Sequence, residues 1–114
     1  MSTPVYLVDR VVTAPGAGEE FVRRYRDEYL PAAADRGITA TTIVVSPPLW
    51  LDHESNTVTA ILAVDSVSGW WTAALAGRHD PAPAAWWASV EHLVVERSRV
   101  SAAAADDLAV LADV

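Results

Sequence analysis

The chain is expected to fold as an α+β domain with the element order β-α-β-β-α-β. This is a split βαβ unit, in which a four-stranded antiparallel sheet carries both helices on one face. Three observations predict it. Four segments rich in β-branched and apolar residues are separated by turn residues. A helical periodicity lies between the first and second of them, and another between the third and fourth.

Residues 4–13 read as the first strand, apolar on both faces except for the neighbours Asp9 and Arg10, which must point to opposite sides. Ala14-Pro15-Gly16-Ala17-Gly18 ends it, without the spacing of a dinucleotide or phosphate loop. Residues 18–36 fit an amphipathic helix: Glu19 and Glu20 suit its positive end, and Phe21, Tyr25 and Tyr29 form one stripe. Pro31 is expected to bend or interrupt it near Tyr29-Leu30, and Gly37 to cap it. Ile38 to Ser46 and Thr57 to Val64 form a hairpin, with Pro47-Pro48 and the turn residues Asp52 to Asn56 between them.

Asp65-Ser66 offers a helix cap, so Val67 to Ala76 is a short helix that Gly77 should stop. Pro81 and Pro83 punctuate the next loop, Ala84 to Glu91 resumes as helix, and His92 to Val100 is the fourth strand. One domain over residues 1–100 is expected, followed by an Ala-rich acidic tail, 101–114, with Leu108 and Leu111 at helical spacing. Helices cover only one face of such a sheet, yet these strands are apolar on both. The open face then calls for a second sheet, most simply that of a homodimer.

Composition narrows the function. The 114 residues are 52% hydrophobic and 20% charged, which is the balance of a folded protein. A net charge of −7 argues against nucleic acid and anionic membrane as partners. There is no cysteine, and all eight basic residues are arginine, which removes thiol, zinc-ribbon and Schiff-base chemistry. Three scattered histidines make no metal site, and no cofactor motif is present. The first residues show no secretory pattern and no run is long enough to span a membrane, so a cytoplasmic protein is expected.

The candidate catalytic residues are His79, Asp9 and Arg10. His79 stands at an expected helix-to-loop break beside Arg78 and Asp80, where an imidazole can move a proton. The alternative is that Asp80 caps the following helix and His79 is a surface residue. A charge inside an apolar strand needs a partner: Asp9 either acts as a base or orients His79, or the Asp9 and Arg10 charges are taken up in structural ion pairs with Arg97, Arg99 or Glu96 on the fourth strand. Tyr6, Tyr25 and Tyr29 are candidate donors to a substrate oxygen, with core packing the alternative for the last two. In the doublets Trp70-Trp71 and Trp86-Trp87 the side chains point about 100° apart. One of each is expected in the core and the other at a pocket mouth or interface. Trp70, Trp71 and Trp86 are therefore candidate contacts to a flat apolar ligand.

The first strand with Ala14-Pro15-Gly16, the helix ending Tyr29-Leu30-Pro31 and Arg36-Gly37, the Trp-rich second helix and the loop Gly77-Arg78-His79-Asp80-Pro81 carry a resemblance. Over residues 4–100 the chain resembles the ferredoxin-like dimeric α/β-barrel superfamily of antibiotic-biosynthesis monooxygenases, stress-responsive barrels, and EthD- and NIPSNAP-like proteins. That resemblance implies a small-molecule pocket between sheet and helices, cofactor-free chemistry, and an acid/base or ligand role for a histidine placed as His79 is. Asp9 stands where haem-degrading members have Asn, and Trp70 falls out of their Trp position. The function so implied is a cofactor-independent isomerase, cyclase or lyase acting on an apolar carbonyl or phenolic metabolite. The alternatives are a quinone-forming monooxygenase and a non-catalytic dimer that binds a hydrophobic ligand.

Overall fold

A computed structural model of the chain describes residues 3–112; Met1-Ser2 and positions 113–114 of the expected tail lie outside the described residues. The elements follow the order β1 (Val5–Thr13), α1 (Gly18–Arg24), a π-helical turn (Tyr25–Tyr29), α2 (Leu30–Asp35), β2 (Ile38–Ser46) and β3 (Thr57–Val64). Then come α3 (Val67–His79), α4 (Ala82–Ser89), a 3₁₀ turn (Glu91–Leu93), β4 (Val94–Ala102), a second 3₁₀ turn (Ala105–Asp107) and α5 (Leu108–Ala112). The four strands form one antiparallel sheet in the order β2-β3-β1-β4. This is the ferredoxin-like arrangement.

In β1, Val5, Leu7, Asp9, Val11 and Thr13 are buried and the alternate residues are not. The buried set faces the helices, together with Val58, Ala60, Leu62 and Val64 of β3. Phe21, Val22, Tyr25, Tyr29 and Ala33 close the core from above. Truncating a core side chain such as Leu62 would cost about 2–5 kcal/mol, because the lost transfer energy adds to the void left behind.

The first helix departs from α geometry just ahead of Pro31, where the sequence suggested a bend or interruption, but it does not end there. The backbone widens: the Leu30 N–H donates to the carbonyl of Tyr25, five residues back, and α2 continues past the proline to Asp35. The missing proline N–H thus falls in the first turn of a re-started helix, where it costs least. Gly37 takes φ +81°, in the left-handed region expected of a C-terminal cap.

The second helical region departs from expectation at its ends. Gly77 is not among the positive-φ glycines, and α3 runs through it to His79. The stop comes from Pro81, which drives Asp80 into extended backbone at φ −98° and ψ 114°. The Asp80 carboxylate then accepts the N–H of Ala82 at 2.9 Å and starts α4 two residues early. Strand β4 is displaced in the other direction, beginning at Val94 after the 3₁₀ turn and ending at Ala102 inside the expected tail.

The face away from the helices is less apolar than the sequence suggested. Tyr6, Val8, Val12 and Ile61 make a half-exposed apolar centre, extended by the exposed Val44 and Val100. Arg10, with Glu96 at 3.6 Å, and the threonines of β2 and β3 make the remainder polar.

Asn56 ties the long β2–β3 connection down. Its amide donates to Leu49 O at 2.8 Å and accepts the Leu51 N–H at 3.1 Å, while its backbone N–H meets Thr13 Oγ1. Asn56 is fully buried, and a methyl group on Gly18 would come within 2.7 Å of its Oδ1. Asn56→Ala leaves those backbone groups without a partner and should lower the unfolding free energy by about 2–3 kcal/mol, read from urea denaturation.

Candidate functional site

Asp9 of β1 and Arg99 of β4 are direct cross-strand partners on the helix side of the sheet. The Asp9 carboxylate is 3% exposed, far from the water a charge prefers. Arg99 clasps it with both arms of its fork: Nε donates to Oδ1, and Nη2 donates to Oδ2 at 2.8 Å. From the helix above, the Tyr25 hydroxyl donates to Oδ2 at 2.7 Å, and Arg99 Nη2 also donates to the Tyr29 hydroxyl at 2.7 Å. A carboxylate, a guanidinium and two phenols thus form one closed polar cluster with no net charge, inside an otherwise apolar layer.

The cluster polarises its own members. Burial first, and the adjacent Asp9 carboxylate second, hold the Tyr25 hydroxyl well above the ordinary tyrosine range. Burial works against the Arg99 charge, but the carboxylate bonded to it outweighs that and raises the guanidinium above its usual value. Three further rings surround the two phenols. Tyr25 stacks on Tyr29 with centroids 5.1 Å apart, and Phe21, Trp86 and Trp87 pack around them at 5.1–6.3 Å.

Beside the cluster, between the sheet and α3, lies a cavity of about 240 Å³. Leu7, Ile38 and Val64 of the sheet and Trp70, Ala73 and Ala74 of α3 give it apolar walls, and Arg99 and Ser101 are its polar lining. The small alanines of α3 leave the space, and α3 contributes no fully buried residue. A guanidinium has five N–H groups. Three of Arg99's are used by Asp9 and Tyr29, and Nη1 has no partner among the described residues. The side chain is 34% exposed. An apolar space with one pre-oriented donor suits a small molecule with a single oxygen.

A larger cleft of about 710 Å³ lies between α1 and Trp50, but its walls are surface charges such as Glu19, Glu20, Arg23 and Arg26. A third, of about 290 Å³, lies between α4 and β4 where Arg97 covers the Trp87 ring at 4.2 Å. Neither contains a buried polar group. Among the described residues, no three His, Asp or Glu side chains gather to hold a metal, and no helix is long and apolar enough to cross a membrane.

The residues singled out in the sequence are only partly brought together. Asp9, Tyr25 and Tyr29 meet in the cluster, and Trp70 lines the cavity. Asp9 takes the ion-pairing role offered among its alternatives. Arg10 and Tyr6 are on the opposite face of the sheet. His79 is exposed in the last turn of α3, where a basic side chain suits the negative end of the helix, and it lines none of these cavities.

Trp70 packs against the core while Trp71 is 52% exposed, as expected of such a doublet. Trp86 and Trp87 both pack against the core instead. Helix α4 lies between two neighbours: the Trp86 Nε1 donates to Glu28 of the π turn at 2.9 Å, and Trp87 stacks under Arg97 of β4. Arg99 and Ser101 were missed as site residues. Their one available signal was register, since Arg99 falls opposite Asp9 once β1 and β4 are paired.

The chain matches no family model and no curated protein. It is similar in structure to a NIPSNAP-family protein of unknown function from Agrobacterium tumefaciens, with a TM-score of 0.66 at 12% identity over 90% of this chain and 88% of that one. An uncharacterised NIPSNAP-domain protein from Burkholderia xenovorans gives 0.67 at 17% identity, over 89% and 94% of the two chains. A dimeric ferredoxin-like protein of unknown function from Thermobifida fusca gives 0.53 at 16%, over 91% and 93%. At these identities the likeness establishes the ferredoxin-like fold.

The Tyr25 shift fixes a pH dependence. An unfolded tyrosine ionises near pH 10, whereas the folded Tyr25 keeps its proton. Its contribution to stability is therefore complete below about pH 10 and is lost as the pH rises further, by at most about 1.4 kcal/mol per pH unit. Tyr25→Phe should cost about 1–2 kcal/mol at neutral pH and flatten the alkaline decline, as followed by urea denaturation between pH 8 and 11.

Proposed function

We propose that the protein binds a small, neutral, largely apolar molecule bearing a carbonyl or phenolic oxygen in the cavity under α3, with Arg99 donating to that oxygen. The observation that carries this reading is the guanidinium itself, held by Asp9 and Tyr29 while Nη1 has no partner among the described residues, in a side chain that lines an apolar cavity. The cluster's charges already cancel, and the chain carries a net charge of −7. A ligand carboxylate would add an uncompensated negative charge to a partly buried place, so a neutral oxygen suits it better. Ser101 offers a second hydroxyl, and Trp70 a flat wall. A hydrogen bond from Arg99 also polarises a carbonyl, which is the part of proton-transfer chemistry this site can support. His79 is exposed and outside the cavity, so the site is a binding pocket before it is a catalyst.

We further infer a homodimer formed through the open face of the sheet. Tyr6, Val8 and Ile61 lie side by side at its centre, with Val100 and Val44 exposed beside them. A contiguous apolar area of this kind on a small domain favours self-association. The Thermobifida fusca protein of like fold is described as dimeric.

Both readings have direct tests. Acetophenone, an aromatic ketone, should bind at one site per chain and quench tryptophan fluorescence. Arg99→Lys keeps a positive charge opposite Asp9 but removes the free Nη1 arm. It should weaken binding at least about tenfold, the equivalent of losing one charged hydrogen bond; unchanged affinity would refute the role of Arg99. Sedimentation should show a dimer that Ile61→Arg converts to a folded monomer, and a wild-type monomer would remove the sheet-face interface.

A further inference from the structure

Trp70 bounds the cavity at Arg99 on one side. A second apolar space, of about 350 Å³, lies on the other side of the same indole, and Trp70 and Ser101 line both. The Trp70 Nε1 donates to Ser101 Oγ at 3.2 Å, so the ring is held as a partition by one hydrogen bond on the exposed side of the site. Beyond it the walls are Val5, Val67, Ala103, Leu108 and Leu111, with no charged side chain among them. The outer part of this wall is the segment after β4. Leu108 is 58% exposed there and Leu111 half-buried, so the two leucines of α5 overhang a space they do not fill.

We propose that the ligand of this site is elongated, with its oxygen-bearing end at Arg99 and an apolar chain that displaces the Trp70 indole from Ser101, enters the outer space and ends against Leu108 and Leu111 of α5. This deepens the carbonyl-binding reading above and rests on it. The polar requirement is concentrated at one end, in Arg99 and the Ser101 hydroxyl, and everything beyond Trp70 is hydrocarbon. A molecule matching that pattern has one oxygen function at a terminus and a flexible tail, as a long-chain methyl ketone does. A compact ring would fill the inner cavity and gain nothing from α5. The C-terminal segment is then a measure of ligand length, and the overhang of Leu108 and Leu111 is the surface on which the tail is read.

A series of straight-chain methyl ketones, from 2-butanone to 2-decanone, tests this on the full chain by calorimetry, with competition against acetophenone for the weak members. Each methylene that moves from water into an apolar space tightens binding about fourfold. The wild-type protein should show that gain continuing through the longer ketones. The double variant Leu108→Asp with Leu111→Asp should bind the short ketones as the wild type does but gain little from the longer ones. Leu108→Asp alone, at an exposed position, gives the same comparison should the double variant not fold. A wild-type series without any gain for the longer members would overturn the proposal, as would a gain that survives both variants. Failure of the underlying site reads differently: acetophenone affinity would then be indifferent to Arg99→Lys, whatever the length series showed.

Discussion

A carboxylate buried in the second layer of a small protein is a constraint that its neighbours must answer. Asp9 sits mid-strand, opposite Arg99 on β4 and beneath Tyr25 on the helix. Its three donors come from two elements distant in sequence, so β4 can join the sheet in only one useful register. A slip by one residue would turn Arg99 to the outer face and leave a bare charge in the core. Losing one partner of such a pair costs about 3–5 kcal/mol when both are buried, and less here because Arg99 is partly wet. The pair holds the edge strand in place, and it leaves one guanidinium arm aimed outside the cluster.

The two halves of the split βαβ unit are unequally seated. The first helix lays Phe21, Val22, Tyr25, Tyr29 and Ala33 into the core. Helix α3 places none of its residues in full burial, and meets the sheet through Trp70 and small alanines. One helix therefore supplies stability, and the other spans a space that the alanines are too short to close. The cavity beside Arg99 is a consequence of that asymmetry.

How much of this could be read from the residues alone varies with the kind of signal. β2 and β3 have the predicted ends because β-branched runs and Pro47-Pro48 are local signals. Asp9 is conspicuous as a charge in an apolar strand, and Arg99 stands beside Arg97 as one of its two possible cationic partners on β4. Arg99 was not conspicuous by itself. Glu96-Arg97-Ser98-Arg99 is polar at every position, with no alternation to mark a face, and only pairing with β1 tells which of them face inward. His79 drew attention through its chemistry and through Gly77, taken as a helix stop; the stronger signal was Pro81, acting on the residue before it. The placement of Trp86 and Trp87 depended on α4 having neighbours on two sides, which no single-helix projection contains. The open cavity was unreadable for a related reason, since it is made by what α3 fails to fill.

The π-helical turn at Tyr25–Tyr29 bears on how this chain can vary. An α-helix advances about 100° per residue, so a wide turn behaves as one residue inserted into the helix. Everything after it is rotated with respect to everything before it. In this phase Phe21 and Tyr25 upstream and Tyr29 and Ala33 downstream all reach the same core. Laid out as regular α-helix, the twelve-residue advance from Phe21 to Ala33 would leave these two about 120° apart, so the wide turn is what keeps both on the sheet. A one-residue gap at Arg26, Asp27 or Glu28 would therefore turn this stretch into regular helix with Ala33 still facing the sheet, and a relative could lose the wide turn while keeping both phenols over the Asp9–Arg99 pair.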